Sequence, residues 1–222
     1  MGLDGYLVRY PRYKGYGPKD MCAIQDYNDW KRRGQKYTFK EWCGGDEGCL
    51  PDGEDREKLL SMIKKTYGVW DIEKRYPRYE IGEDVAYWRK ANAIHKWFVD
   101  NVQDGIDDCG FHREVTEKDL KKLIRICKKI LKECVLVPAK VTNGYGWNKK
   151  TNKSVPILED GLTVVNSKIC HELLPSASGF FFGSLDYDQY YIDDVKYTYE
   201  ALTKALETTD FETQMLYYNA SW

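Results

Sequence analysis

With 222 residues, 34 basic and 35 acidic side chains and a formal net charge of −1, the chain is long enough for one large domain but has no cationic surplus. That balance excludes a general nucleic-acid or anionic-membrane binder, whose phosphate contacts need a net basic footprint. No apolar run approaches the ~18 residues of a membrane span, the first residues lack the basic and apolar regions of a secretory signal, and seven Cys fall in no regular framework, so a cytoplasmic protein with reduced thiols is expected.

Leu3 to Tyr10 alternates in two rows and reads as a strand that stops at Pro11, which has no N–H to donate. Residues 14–56 are rich in Gly, Asp, Lys and aromatics, with helical hints over Met21–Arg32 and turns at GGDEG (44–48) and PDGED (51–55). A short helix follows from about Arg56 to Thr66. From Asp84 to Val102 apolar residues recur at spacings of three and four, which predicts a helix.

Thr116 to Cys134 has the cleanest helical stripe, with Thr116 and Asp119 placed as a capping box. Between 135 and 172 the texture changes to short β-rich runs separated by Asn-Gly and Glu-Asp-Gly, a β-hairpin or meander insertion within a single domain spanning 1–222. Tyr190–Glu207 is again helical, and Thr213–Trp222 alternates like a strand. The two terminal strands are expected to pair, with amphipathic helices packed on them, giving an α+β fold.

The pentapeptide RYPRY occurs twice, at 9–13 and 75–79, with unlike flanks. Pro holds the preceding Tyr extended, so each copy is a stiff segment that aims its side chains in fixed directions. One reading makes both copies connectors whose arginines pair with nearby carboxylates. The other makes Arg9, Arg12, Arg75 and Arg78 the rim of an anion site, which requires the copies to meet in space.

The strongest candidate site lies in the stretch 84–102, where Arg89, Asn92, His95 and Lys96 recur at helical spacing. Such a group suits a phosphate or a nucleobase edge, and a hydrogen-bonded core histidine is the plainer account of His95. Cys109 and His112 form a C-x-x-H pair and are weak candidates for a structural zinc, matching no common zinc module. No other cofactor is expected. Asp186 and Asp188 read as loop and helix-cap residues, with a bound cation as the weaker alternative.

MGLDGYL at the start, YWRKANAIHKWFV (87–99), DDCGFHREV (107–115) and LPSASGFFFGS (174–184) together resemble a family of uncharacterised bacteriophage and prophage proteins. The resemblance covers most of the chain and lends no catalytic activity. It implies an accessory protein in the host cytoplasm that binds a small anionic ligand, such as a nucleotide or nucleotide-derived signal, or counteracts a host defence system. Two other readings stay open: an inhibitor that docks on a host protein through a Tyr- and Trp-rich surface, and a small nucleotide-processing enzyme. Self-association is compatible with each.

Overall fold

A computed structural model describes residues 2–43, 50–179 and 182–222. The GGDEG stretch, Cys49 and the first two phenylalanines of the FFF run lie outside the described residues. In chain order the elements are β1 (Asp4–Pro11), α1 (Pro18–Arg32), α2 (Phe39–Trp42), α3 (Gly53–Met62), β2 (Lys64–Thr66), β3 (Arg78–Glu80) and β4 (Glu83–Arg89). They continue with α4 (Asn92–Val102), α5 (Glu117–Glu133), β5 (Leu136–Asn148), β6 (Lys153–Val164), α6 (Lys168–Leu173), α7 (Gln189–Thr208) and β7 (Gln214–Ser221). The fold class is α+β, and the terminal strands are neighbours in a three-stranded sheet of order β4-β1-β7.

The third strand corrects the sequence reading. Residues 83–89 were expected as the first half of a helix running to Val102, yet they form β4, and α4 starts at Asn92. Both periods are present in that stretch. Ala86 and Trp88 are buried while Val85 and Tyr87 are half-buried, a two-residue alternation carried by β-branched and aromatic side chains. Lys90, in the left-handed region at φ +60°, breaks the chain between strand and helix.

By their contacts the residues divide into two compact units, Met1–Tyr6, Trp88–Thr208 and Tyr218–Trp222 in one, Leu7–Tyr87 and Thr209–Tyr217 in the other. In the first unit α5 buries Leu120, Leu123, Cys127 and Ile130, the stripe expected, and Thr116 caps it through the Asp119 amide. An aromatic core joins α4, α7 and the sheet. The Phe98 and Tyr218 rings stack at 4.1 Å, and the indole N–H of Trp88 donates to Thr198 Oγ1 at 2.9 Å. A buried ring pair of this kind adds about 1 kcal/mol beyond the area it removes from water.

The insertion is one antiparallel hairpin, from Leu136 opposite Val164 to Asn148 opposite Lys153. The Asn-Gly and Glu-Asp-Gly signals, expected as turns, lie inside its strands. Gly144, at φ +99°, sits where the register shifts between Thr142 and Tyr145, a bulge that a side chain would strain. The reversal falls instead at 149–152, where Asn148 Oδ1 accepts the amides of Lys150 and Thr151.

In the second unit α1 packs on α3, and Tyr27, Trp30 and Phe39 form an aromatic cluster with centroid spacings of 5.3–5.7 Å. The helix expected to reach Thr66 ends at Met62, because Lys64–Thr66 pair with Arg78–Glu80 as β2 and β3.

Candidate functional site

A cavity of about 390 Å³ opens in the first unit where three elements converge. The β4–α4 junction contributes Arg89, Lys90 and Asn92, the β5 bulge contributes Thr142–Tyr145, and the start of α7 contributes Asp188, Tyr190, Tyr191, Asp193 and Asp194. Local chemistry fixes each wall. Asn92 Nδ2 donates to the carbonyls of Phe182 (3.1 Å) and Ser184 (2.8 Å), while its Oδ1 accepts the Ala177 amide at 3.0 Å. That side chain thus ties Ala177, Phe182 and Ser184 to the first turn of α4. Gly183, at φ +95°, passes so close that a Cβ there would lie 3.2 Å from the Lys90 carbonyl. The hairpin is held to α7 by the Val164 amide on the Tyr187 carbonyl (2.9 Å), by the Leu162 amide on Gln189 Oε1 (3.0 Å) and by the Tyr190 hydroxyl on Glu159.

The two cations on the lining lack close partners. Arg89, with its side chain 63% exposed, has an ion-pair contact to Asp4 of only 3.9 Å, and among the described residues Lys90 has none. The opposite wall is acidic. Asp186 Oδ2 accepts the hydroxyls of Ser184 (3.0 Å) and Thr142 (3.4 Å). Asp188 caps α7, its Oδ1 accepting the amides of Tyr190 (2.9 Å) and Tyr191 (3.2 Å), and its Oδ2 is buried with no partner among the described residues. Burial, then the neighbouring Asp193 and Asp188, push the Asp194 carboxyl up to about 7.

Of the four residues expected to act together, Arg89 and Asn92 line this cavity and His95 and Lys96 do not. Arg89 stands on a strand, so helical spacing is not what relates it to the others. His95 is buried, with Nδ1 2.9 Å from the Tyr218 hydroxyl and Nε2 2.9 Å from Asp107 Oδ1. Because the half-exposed Asp107 acts as acceptor, Nε2–H donates to it and Nδ1 accepts from Tyr218. Desolvation lowers the imidazole pKa against the opposing pull of Asp107, so the ring is neutral and both nitrogens are engaged within the fold. Lys96 pairs with Asp100 at 2.8 Å, one turn along α4.

The RYPRY arginines belong to the second unit and meet carboxylates or carbonyls there. Arg9 donates to Glu83 (2.8 Å) and Thr209 (3.4 Å), and Arg12 to the carbonyls of Phe211 (3.4 Å) and Gln214 (3.2 Å). Arg75 pairs with Glu73, and Arg78 with Asp84 (2.6 Å) and Glu80 (3.3 Å). The two copies therefore reach consecutive carboxylates, Glu83 and Asp84, and none of the four arginines lines the cavity.

Cys109 is exposed, and His112 Nε2 faces Asp108 Oδ1 at 2.8 Å. Among the described residues no group of three or more His, Cys, Asp or Glu side chains is placed to hold a metal ion, and no helix is long and apolar enough to cross a membrane. Sequence reasoning passed over Lys90, Asp194 and Tyr190. The run of acids at 186, 188, 193 and 194 flanking a helix start was the available signal, since it loads one end of α7 with like charge.

The chain matches no protein-family model, no curated protein and no solved structure.

Proposed function

We propose that the chain is a ligand-binding accessory protein whose cavity takes a small nucleotide-like molecule, with the anionic group of the ligand at Arg89 and Lys90. The observation that carries this reading is the pairing of two under-used cations with tyrosines on a cavity of about 390 Å³, a volume in the range of small-molecule sites. A fork-shaped guanidinium and an ammonium suit a phosphate, and Tyr145 and Tyr190 offer faces for a planar ring. The acidic lining beside α7 disfavours a polyanion, so the phosphate stays at the Arg89 side and the ring reaches toward α7. The resemblance to phage proteins supplies the setting, sequestration of a nucleotide signal in a host cell.

Native mass spectrometry of protein purified from host cells, compared with its denatured mass, tests this first. An added mass of a few hundred daltons, or tight binding from a panel of nucleotides weakened at least tenfold by Arg89→Ala, supports the reading. A bare mass together with no binding to any nucleotide in the panel removes it.

One observation favours a second reading. On the hairpin Tyr145, Trp147, Ile157 and Leu158 are 52–62% exposed, the aromatic and aliphatic character of a docking surface for a host protein. A stable complex abolished by Trp147→Ala, with nucleotide binding absent, would place the activity on the hairpin.

A further inference from the structure

We infer that Cys134 and Cys170 are a redox-responsive pair that closes to a disulfide across the base of the β5–β6 hairpin on meeting a low-molecular-weight disulfide. Whatever the cavity binds, the two Sγ atoms lie 3.3 Å apart, within hydrogen-bonding contact of each other. A disulfide bond is about 2.05 Å long, so closure asks for an approach of about 1 Å. Both thiols are free in this structure.

The backbone around the pair holds it in place. Cys134 is the last cap of α5, and one side chain pins the residues on either side of it. Asn166 Nδ2 donates to the Glu133 carbonyl (2.6 Å), and Asn166 Oδ1 accepts the Val135 amide (3.0 Å). The Val165 amide donates in turn to the Val135 carbonyl at 3.0 Å. Cys170 lies in α6, just beyond the far strand of the hairpin, where its carbonyl accepts the Leu174 amide at 2.9 Å. Two thiols 36 positions apart are thus held within reach, which gives each a high effective concentration toward the other's sulfur.

The two sulfurs differ in access. Cys134 is half-buried, whereas Cys170 is buried. Burial, and then the Cys134 thiol beside it, push the Cys170 thiol up to about 12, so Cys134 is the sulfur that a reagent reaches first. The Cys134 thiolate attacks one sulfur of the reagent, breaks its S–S bond and releases the first thiolate. Cys170 then attacks Cys134 Sγ and expels the second. Each departing thiolate takes the proton that one cysteine gives up, so the protein pair is oxidised and the reagent is reduced to two thiols. In a reducing compartment the pair stays open. Closure ties the end of α5 to α6 and clamps both ends of the hairpin whose Thr142–Tyr145 stretch walls the cavity.

The full chain, incubated folded with oxidised glutathione, trapped with N-ethylmaleimide and mapped by peptide mass spectrometry, tests this. The expected product is a Cys134–Cys170 crosslink that dithiothreitol removes. Cys109 is exposed, and its mixed disulfide with glutathione shows that the reagent acted. Modified Cys109 without the 134–170 crosslink overturns the inference.

In Cys170→Ser the reaction should stop after its first step and leave glutathione on Cys134, while in Cys134→Ser the buried Cys170 should stay bare. A folded Cys170→Ser with no glutathione on Cys134 also overturns the inference; if either variant fails to fold, the wild-type map decides alone. The oxidised wild type should melt at least about 5 °C above the reduced form, since the crosslink restricts the unfolded chain. An unchanged or lowered melting temperature counts against the pair as well, because the native hairpin base would then not accept the bond without strain.

Discussion

Arg78 in the second unit and Arg89 in the first both sit on short strands, and their surroundings differ in kind. Arg78 lies 2.6 Å from Asp84 and 3.3 Å from Glu80, and the Asp84 side chain is only 5% exposed. Arg89 is mostly in water, and its one ion-pair contact among the described residues is 3.9 Å long. The first arginine is consumed by the fold, because the buried carboxylate beside it would otherwise stand uncompensated. The second is spare, as is Lys90 next to it. Residue type marks neither role; what separates them is whether the fold itself satisfies the charge.

That comparison can be broken at its strongest point with Arg78→Ala. It should lower the unfolding free energy by about 3 kcal/mol, read from denaturant midpoints, because it strands a buried carboxylate, and it should leave ligand binding unchanged. A loss below about 1 kcal/mol would mean that the Arg78–Asp84 pair is no more structural than a surface contact.

Next in size is Asp194→Asn. The folded carboxyl is raised to about 7 from an ordinary 3.8, so the native state holds the proton more tightly than the unfolded chain. The contribution is fully present below about pH 4 and is lost as pH rises through about 7. Asparagine stays neutral throughout, so the variant should be more stable than wild type at pH 8. The gain is about 2 kcal/mol once residual solvent contact is allowed for, and it should fade by pH 4. A pH-independent difference would remove the burial argument for that wall.

Arg89→Ala sharpens the contrast from the other side. Its stability change should stay under about 0.5 kcal/mol while nucleotide affinity falls at least tenfold. Smallest of all, Arg75→Ala removes a contact to Glu73 in which both side chains are more than 60% exposed, and its melting curve should overlay that of the wild type.

Much of the fold was legible in the residues because single periods dominated. The α5 stripe with its cap, α7, the hairpin and the terminal strands each obey one repeat over many residues. The failures occurred where two signals competed. Residues 83–89 satisfy both a helical and an alternating pattern, and the outcome was decided by pairing within a sheet whose other members are remote in sequence. Asn143-Gly144 carries turn chemistry that a bulge uses equally well.

The site was half legible for a related reason. Arg89 and Asn92 line the candidate cavity, but Arg89 does so from a strand and not at the helical spacing expected. His95 instead spends both nitrogens on Tyr218 and Asp107, partners 123 and 12 residues away. The acids of α7 look like ordinary capping and surface charge until the hairpin and the 182–184 segment close over them.

The order β4-β1-β7 also governs how the molecule comes into being. Its middle strand leaves the ribosome first of the three and its flanking partner β7 last, so that the Arg12 amide must find the Thr213 carbonyl some 200 positions later. Helices α5 and α7 can form from local contacts while synthesis proceeds, but the sheet cannot close until β7 has emerged. Through that interval β1 presents an unpaired apolar edge. Folding should therefore proceed in a fast helical phase and a slow sheet-closing phase, and yield in the cell should depend on how long nascent β1 is shielded from other chains.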